Sequence, residues 1–382
     1  MDVSSEMIHS LLPVFMVTSL GVSVVLVGFL DGLAEATALV VKIFSGAISD
    51  YFGKRKWLAA IGYGMSAVTK PLFALATSFG AVFFARMADR VGKGVRGAPR
   101  DALIADVTPA ELRGAAYGLR QGLDTIGAFV GPLLAFALMS ASNDNFKLVF
   151  WIAVIPAVLS VLAVTFIKDH EPHTRRMPKP QKNHDGTKTP ETLAHESSQK
   201  LSPRLNRLII LLSTFAVFNF PDALLILHIS QIGFSVTDVV GIYLLFNICY
   251  AALSLPVGML ADRMKPQHVY AIGLLCFAIA YGGLGLTRDF ALTIILVAIY
   301  GGFAAANDVV GKSWVSKLAG DNQQMKVQAR LQGLTGFGIL IAGIWAGLTW
   351  NLGDGAGTVP LLISGAVGLA AAALISRFKT EF

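Results

Sequence analysis

The sequence has few charged residues for its length. Asp, Glu, Lys and Arg make up 14% of the 382 residues, hydrophobic residues make up 54%, and the mean hydropathy is +0.63. A soluble domain has roughly 25% charged residues. A surface so poor in charge does not keep a 40.6 kDa chain dissolved. Composition therefore excludes a soluble globular protein, a disordered chain and a collagen-like chain, and a membrane protein remains.

Cysteine is also scarce, which excludes two further classes. The two cysteines, Cys249 and Cys276, lie in apolar runs, so they form neither a zinc-binding spacing nor a disulfide framework. The net charge is +7. Many basic residues, however, lie inside apolar segments rather than on one exposed face, and we expect no nucleic-acid partner.

Motifs for enzymatic chemistry are missing. The sequence contains neither H-E-x-x-H nor G-x-S-x-G. Gly92–Gly97 matches G-x-G-x-x-G, but it lies in an apolar segment, where glycines allow helices to approach closely. Gly311–Ser313 resembles the end of a P-loop, but Ala306 replaces the leading glycine. We expect no enzymatic activity, no cofactor and no metal site, and a proton gradient is the expected energy source.

Apolar runs of about 17 to 28 residues fill most of the chain, and this is the length of membrane-spanning helices. They predict an all-α integral membrane protein with twelve helices. The first predicted helix looks truncated because only 20 residues precede Gly21, so either the natural chain begins upstream or this helix is simply short. The predicted spans are 3–20, 22–48, 57–76, 79–105, 114–140, 147–167, 205–230, 236–260, 268–287, 290–318, 328–350 and 358–376.

The basic residues are distributed unevenly over the predicted loops. With both termini in the cytoplasm, 19 of the 31 lie in inner segments or at the inner ends of spans, only Lys147 and Arg288 lie in outer loops or at the outer end of a span, and 10 lie deeper within spans. Basic residues accumulate on the cytoplasmic side of membrane proteins. The distribution therefore predicts a multi-pass protein of the inner, cytoplasmic membrane with both termini in the cytoplasm.

One segment, 168–204, is rich in proline and charge and nearly free of apolar side chains. Such a segment does not bury enough surface to fold alone. It predicts a cytoplasmic linker between an N-terminal six-helix bundle, 1–167, and a C-terminal one, 205–382. The linker contains His170, His173, His184 and His195. A metal-sensing role is the alternative to a plain solvated linker.

The two predicted bundles resemble each other in sequence. Gly46–Asp50 recurs as Gly258–Asp262, and Gly131 recurs as Gly343, at the same offset of 212 residues. Repeats of six spans are typical of transporters, which bind their substrate at the repeat interface.

Several of these segments resemble the major facilitator superfamily of transporters. Gly46–Lys56 resembles the loop between its second and third spans, G-x-x-x-D-[RK]-x-G-[RK]-[RK], and Gly258–Arg263 resembles the weaker second copy. Arg90–Gly94 resembles the fourth-span motif R-x-x-x-G, and Gly127–Pro132 the fifth-span G-x-x-x-G-P, which is commoner in exporters. Asp89–Asp106 is similar to a bacterial branch of this family.

The resemblance implies two pseudo-symmetric bundles and a monomeric protein in the lipid bilayer. It also implies that Asp50, Lys54 and Asp106 form a charge cluster that stabilises one gate conformation, although Tyr51 stands where the motif has a basic residue. The predicted gating residues are Gly46, Asp50, Gly53, Lys54, Arg90, Asp106, Gly131, Pro132, Gly258, Asp262 and Arg263.

Ionisable residues within spans mark functional sites by default, because each is costly in the bilayer. Asp31, Glu35 and Lys42 share one face of the second span, and Arg120 and Asp124 are one turn apart in the fifth. The alternative is a set of structural salt bridges, for which Asp89 and Asp101 are good candidates. The predicted substrate and proton cavity contains Glu6, Asp31, Glu35, Lys93, Arg120, Asp124, Asn219, Asp222, His228, Asp308 and Lys312.

These charges predict proton-coupled alternating access for a small organic anion, a zwitterion or a metal chelate. Protonation of a cavity carboxylate would release Lys93 or Arg120 for the substrate. His228 is a possible proton site, although a histidine alone in a helix is more often simply hydrogen-bonded. The alternatives are a proton-coupled drug or metabolite exporter and, in other classes, a lipid flippase or a receptor without transport.

Overall fold

The computed structural model describes residues 1–52, 55–109, 113–166, 201–318, 324–353 and 355–378. These residues are mostly helical and include no strand. The first half of the chain contains eight helices: α1 Asp2–His9, α2 Leu12–Thr18, α3 Val24–Phe52, α4 Arg55–Leu75, α5 Phe79–Val107, α6 Arg113–Ala141, α7 Phe146–Ile152 and α8 Val154–Thr165.

The second half repeats this order after the predicted linker, which lies outside the described residues except for its last four, 201–204. A short π-helical turn, Ala306–Val310, joins two of its helices. The helices are α9 Pro203–Phe215, α10 Asp222–Gln231, α11 Val236–Arg263, α12 Pro266–Leu284, α13 Phe290–Ala305, α14 Gly311–Leu318, α15 Gln324–Leu348 and α16 Thr358–Ser376.

Helices occupy all twelve predicted segments. Within the described ranges, nine of these segments are long and apolar enough to cross a membrane. The other three contain α1 with α2, α5, and α9 with α10. Two of them are interrupted helices, and α5 is rich in charge. The same three segments supply much of the polar wall of the cavity described below, which explains their low hydropathy.

The interrupted helices bring polar groups to the centre of the molecule. The first span breaks at Ser10, and the next helix begins at Leu12 with Pro13 in its first turn, because proline fits the first turn of a helix but not its interior. The seventh span breaks before Pro221, and Asp222 opens the next helix. These breaks lie at nearly equivalent places in the two repeats, and they leave Asn219 and Asp222 at the interface between the halves.

The two halves contact each other closely along α3 and α15. A Cβ atom on Gly28 would overlap the backbone at Gly343, and one on Gly347 would lie 2.6 Å from the Cα of Val25. Glycine is the residue that allows such a backbone approach. The contact lies toward the end of the molecule where α3 begins and α15 ends. Beyond it, toward the opposite end, polar side chains separate the halves.

Candidate substrate cavity

A central cavity lies between the halves and has three connected lobes of about 360, 300 and 360 Å³. We name the first the aromatic lobe, the second the amide lobe and the third the lysine lobe. Glu6, Glu35 and Tyr250 line both the aromatic and the lysine lobes. Asn219 and Asp308 line both the aromatic and the amide lobes. The lobes therefore form one space.

Two predicted cavity carboxylates on α3 are paired with arginines of α5. Asp31 pairs with Arg86, and Glu35 Oε1 lies 2.8 Å from Nη1 of Arg90. His9 Nε2 lies 3.6 Å from Asp31 Oδ1. Arg90, which the motif assigned to gating, is thus the buried partner of a carboxylate that lines the cavity. Both arginines are buried, so these pairs fix the position of α5 against α3.

Asp89 takes part in a structural pair, as the alternative interpretation proposed. Lys70 Nζ donates to Asp89 Oδ1 at 2.9 Å and to Ser5 Oγ at 3.0 Å, and the lysine is fully buried. Arg96 donates to Ser66 Oγ at 2.6 Å. These contacts join α1, α4 and α5, and Arg96 also lines the lysine lobe.

Arg120 does not line the cavity, contrary to the prediction. It belongs to a four-member cluster in which its Nη1 lies 3.2 Å from Asp101 Oδ1 and 3.3 Å from Asp124 Oδ2. Arg100 lies 3.5 Å from Asp124 as well. Asp124 does line the lysine lobe. The i, i+4 spacing located the pair correctly, but the neighbouring Asp101 holds Arg120 on the outer side of the cluster.

Two lysines in the lysine lobe have no anionic partner. Lys42 and Lys93 line it, their side chains are exposed to it, and neither makes an ion pair within the described part of the chain. The predicted pairing of Lys93 with a cavity carboxylate is therefore wrong for this conformation, because Arg90 occupies Glu35. Lys42 was absent from the predicted cavity, although its shared face with Asp31 and Glu35 had indicated its direction.

The C-terminal half contributes aromatic rings that sequence analysis missed. Tyr243, Phe246 and Tyr250 follow one another on α11, with ring centroids 6.0 and 6.4 Å apart and nearly parallel planes. Tyr300 of α13 stacks on Phe246 at 5.2 Å. The i, i+3, i+7 spacing of the α11 rings is a one-face pattern that would have revealed this wall.

Side-chain amides and carboxylates complete the C-terminal wall. Tyr281 donates to Asn219 Oδ1 at 3.3 Å, and Tyr270 donates to Asn307 Oδ1 at 2.8 Å. Because the tyrosine hydroxyls bind the amide oxygens, the N–H donors of both amide groups remain available to the cavity. Asn307 lies on the π-helical turn, which widens the helix at this point.

The two C-terminal carboxylates differ in their partners. Asp308 pairs with Lys312 and accepts from Tyr250 at 2.9 Å. Asp222 accepts from Tyr300 at 3.1 Å and makes no ion pair with any described residue. In the N-terminal half, Glu6 accepts from Tyr243 at 3.2 Å, and the imidazole Nδ1 of His9 lies 4.0 Å from its Oε2. Glu6 and Asp222 are thus the cavity carboxylates without a lysine or arginine partner in the described chain.

His228 is not a cavity residue, and the prediction that placed it there is wrong. Its side chain is buried, with Nδ1 2.5 Å from the carbonyl oxygen of Ala356 and Nε2 3.1 Å from that of Leu284. It connects α10 to α12 and to the loop before α16. The simpler expectation for a histidine alone in a helix, that it is hydrogen-bonded, is the one observed.

Most of the predicted gate lies beyond the part of the chain that can be described. Gly53 and Lys54 are outside the described residues, and the side chains at Gly46, Asp50, Asp106 and Asp262 are as well. Their charge cluster stays a prediction.

The described gating candidates lie at helix contacts and helix ends. A Cβ on Gly131 would lie 2.6 Å from that of Glu6, so this glycine lets α6 approach α1 beside Pro132. A Cβ on Gly258 would lie 3.4 Å from a methyl group of Val309, and Arg263 is exposed at the end of α11. The glycines thus permit close packing of α6 and α11 with their neighbours.

Two helical halves around a polar cavity define a membrane transporter, and comparisons with known proteins identify the family. The sequence model of the Major Facilitator Superfamily matches residues 1–248 and 208–381. The chain is 30% identical to the uncharacterised MFS-type transporter MJ1317 of Methanocaldococcus jannaschii over 359 residues, 92% of this chain and 86% of that protein. The chain belongs to the Major Facilitator Superfamily.

Other relatives match a part of the sequence or the fold alone. The multidrug resistance protein MdtH of Proteus mirabilis is 31% identical over 159 residues, 42% of this chain and 38% of that protein. A D-xylose-proton symporter has the same fold, with a TM-score of 0.78 and 16% identity over 100% of this chain and 95% of the symporter. The nucleoside transporter NupG has a TM-score of 0.77 at 15% identity, over 100% of this chain and 96% of NupG.

Proposed function

We propose that the protein is a secondary active transporter that moves a small organic solute with an acidic group by alternating access. The observation that supports this most directly is the pair Lys42 and Lys93, two cations that face the cavity without a carboxylate partner. A lysine in such a place attracts the carboxylate or phosphate of a solute. The neutralised carboxylates Asp31, Glu35 and Asp308 do not compete for that role.

Proton coupling is the second part of the proposal. Glu6 and Asp222 face the cavity and have no lysine or arginine partner. A partly buried carboxylate with no lysine or arginine beside it is less stable in its ionised form than one in water, and binding a proton removes that cost. We therefore assign the transported proton to Glu6 and Asp222 rather than to Glu35 or Asp124, which are paired with arginines.

The proposed orientation has both termini in the cytoplasm of a cell with the protein in its inner membrane. In that orientation the close contact of α3 with α15 is on the outer side. The cavity then extends inward past Arg100 and Gln332. The conformation described is accordingly inward-facing, and we propose that the protein functions as a monomer, as its family resemblance implies.

Purified protein in liposomes loaded with a pH-sensitive dye tests the function. We expect proton flux that depends on added organic anions or zwitterions and is absent from protein-free liposomes. Saturable binding of such a solute without any flux would instead identify a receptor. Flux only with organic cations would contradict the proposed substrate class.

Export of a drug or metabolite in exchange for protons is the second candidate. The partial similarity to MdtH and the Gly127–Pro132 motif support it. The same liposomes distinguish the two when substrate is added outside. A symporter carries protons in with the substrate and acidifies the lumen, whereas an antiporter carries protons out and alkalinises it.

A further inference from the structure

We infer that the substrate is a zwitterion with a hydrophobic or aromatic body, whose ammonium group binds between Glu6, Asp222 and the aromatic rings and whose acidic group binds between Lys42 and Lys93. The inference rests on the proposed transport function and specifies its substrate class. It depends on how the unpaired charges are distributed within the one cavity.

The charges of the cavity wall mostly cancel within the protein. Asp31 and Glu35 are paired with arginines, Asp308 with Lys312, and Asp124 with Arg100. Among the described residues lining the cavity, two carboxylates, Glu6 and Asp222, have no lysine or arginine partner, and two ammonium groups, Lys42 and Lys93, have no carboxylate partner. Glu6 has the imidazole of His9 at 4.0 Å.

These four unpaired groups are separated by sign. Asp222 lines the aromatic lobe, and Lys42 and Lys93 line the lysine lobe, whereas Glu6 lies where the two meet. On α3, Lys42 follows Glu35 by seven residues and is therefore about 10 Å further along the helix axis. A solute that spans the two lobes thus meets carboxylates at one end and lysines at the other.

The negative end has a second feature of an ammonium site. The rings of Tyr243, Phe246 and Tyr300 surround the same lobe, and the hydroxyls of Tyr243 and Tyr300 donate to Glu6 and Asp222. Aromatic faces attract cations, and carboxylates held by tyrosines are directed acceptors for an N–H donor. A simple organic anion would leave this end unused and would face Asp222 at close range.

The matched probes are 4-(aminomethyl)benzoate, which has both charges at opposite ends of a ring, 4-methylbenzoate, which lacks the ammonium, and 4-methylbenzylamine, which lacks the carboxylate. Equilibrium binding to the full chain in lipid nanodiscs is measured by calorimetry. We expect the zwitterion to bind at least about tenfold more tightly than either analogue, because each analogue lacks one charge-assisted hydrogen bond.

Single substitutions assign each end of the ligand. Lys93→Gln should weaken the binding of the zwitterion and of 4-methylbenzoate by a similar factor of about ten, and it should leave the binding of 4-methylbenzylamine unchanged. Asp222→Asn should weaken the zwitterion and 4-methylbenzylamine and leave 4-methylbenzoate unchanged. A merely structural effect would weaken all three. The control is Lys265→Gln, which removes the same charge from an exposed lysine before α12.

Three results would overturn the inference. One is that 4-methylbenzoate binds as tightly as the zwitterion, another is that none of the three probes binds, and the third is that Asp222→Asn weakens 4-methylbenzoate as much as the zwitterion. In each case, substrate-dependent proton flux with other organic anions in liposomes would leave the transport function standing. Absence of flux with every solute would reject the transport function itself.

Discussion

The two halves have similar backbones but differently built interiors. In the N-terminal half, Lys70, Arg86, Arg90 and Arg96 are all buried, and carboxylates of α1, α3 and α5 face them. Among the buried polar side chains of the described C-terminal half, none is Asp, Glu, Lys or Arg. Its interior is held by rings such as Phe215, Phe277, Tyr281 and Tyr300. A shared helical scaffold thus tolerates either ion pairs or aromatic packing.

The difference has a functional consequence at the cavity. The half with buried charges supplies Lys42 and Lys93, and the half with aromatic packing supplies the rings and Asp222. A substrate that contacts both walls makes different interactions with each, so its binding depends on how close the two halves are. Such a dependence is what alternating access requires.

The largest expected effect concerns the buried pair of the N-terminal half. Lys70→Met leaves Asp89 buried without its cation, and we expect the loss of roughly 3–5 kcal/mol of stability, because breaking a buried pair leaves an uncompensated charge. The loss of stability is measured by thermal unfolding in detergent, monitored by size-exclusion chromatography.

The double variant Lys70→Met with Asp89→Leu is the matched comparison. It should recover much of the loss, since two apolar side chains replace a buried ion pair at small cost. If the single variant is as stable as the parent, the buried ion pairs do not stabilise the N-terminal half.

The next effect concerns the contact between the halves. Gly343→Ala places a methyl group against the backbone of Gly28, and we expect a destabilisation of about 1–3 kcal/mol, because neither backbone yields easily. Gly333→Ala on the same helix α15 is the control, since a Cβ there meets no atom within 4 Å. Equal melting temperatures for both variants would show that the helices do not need this approach.

An effect on transport follows for the carboxylate of the aromatic wall. Asp222→Asn should reduce pH-driven transport in liposomes by at least about tenfold, because a carboxamide takes up no proton in this range. Exchange of substrate at saturating concentration without a pH gradient should be affected less, because weaker binding no longer limits it. Asp289→Asn, which keeps the helix cap that Asp289 provides, should transport like the parent. An unaltered response to pH in the Asp222 variant would assign the proton elsewhere.

The smallest effect concerns a single hydroxyl of the C-terminal half. Tyr281→Phe keeps the ring that packs on Phe277 at 4.0 Å and removes the hydrogen bond to Asn219. We expect the free energy of unfolding to fall by about 0.5–1.5 kcal/mol, which is the usual net contribution of one hydrogen bond. Differential scanning fluorimetry of both proteins measures it. A loss as large as that for Lys70→Met would mean that polar contacts matter equally in the two halves.

Sequence patterns anticipated the fold more fully than the site. Apolar runs of membrane-spanning length located all the helical segments, because the bilayer imposes both hydropathy and length. They did not reveal the breaks within the first and seventh spans, where Pro13 and Pro221 had given only a local indication. The breaks matter because they bring Asn219 and Asp222 to the interface.

Positions were anticipated where helix geometry alone decided them. Asp31 and Glu35, which were predicted for the cavity, and Lys42, which was not, share a face of α3 and all line the cavity. Predictions failed where the answer depended on a partner from another helix. Arg120 is held by Asp101, and His228 is held by two backbone carbonyls.

Scarcity of charge determined by itself that this is a helical membrane protein, and the repeats with their motifs determined its family, because both are properties of the chain read residue by residue. Tertiary structure decided which of the charges remain unpaired. An ion pair depends on the distance between side chains from different helices, and α5 approaches α3 so that its arginines neutralise Asp31 and Glu35. The groups that remain available to the cavity are Lys42, Lys93, Glu6 and Asp222. No spacing in the sequence predicts that it is these four.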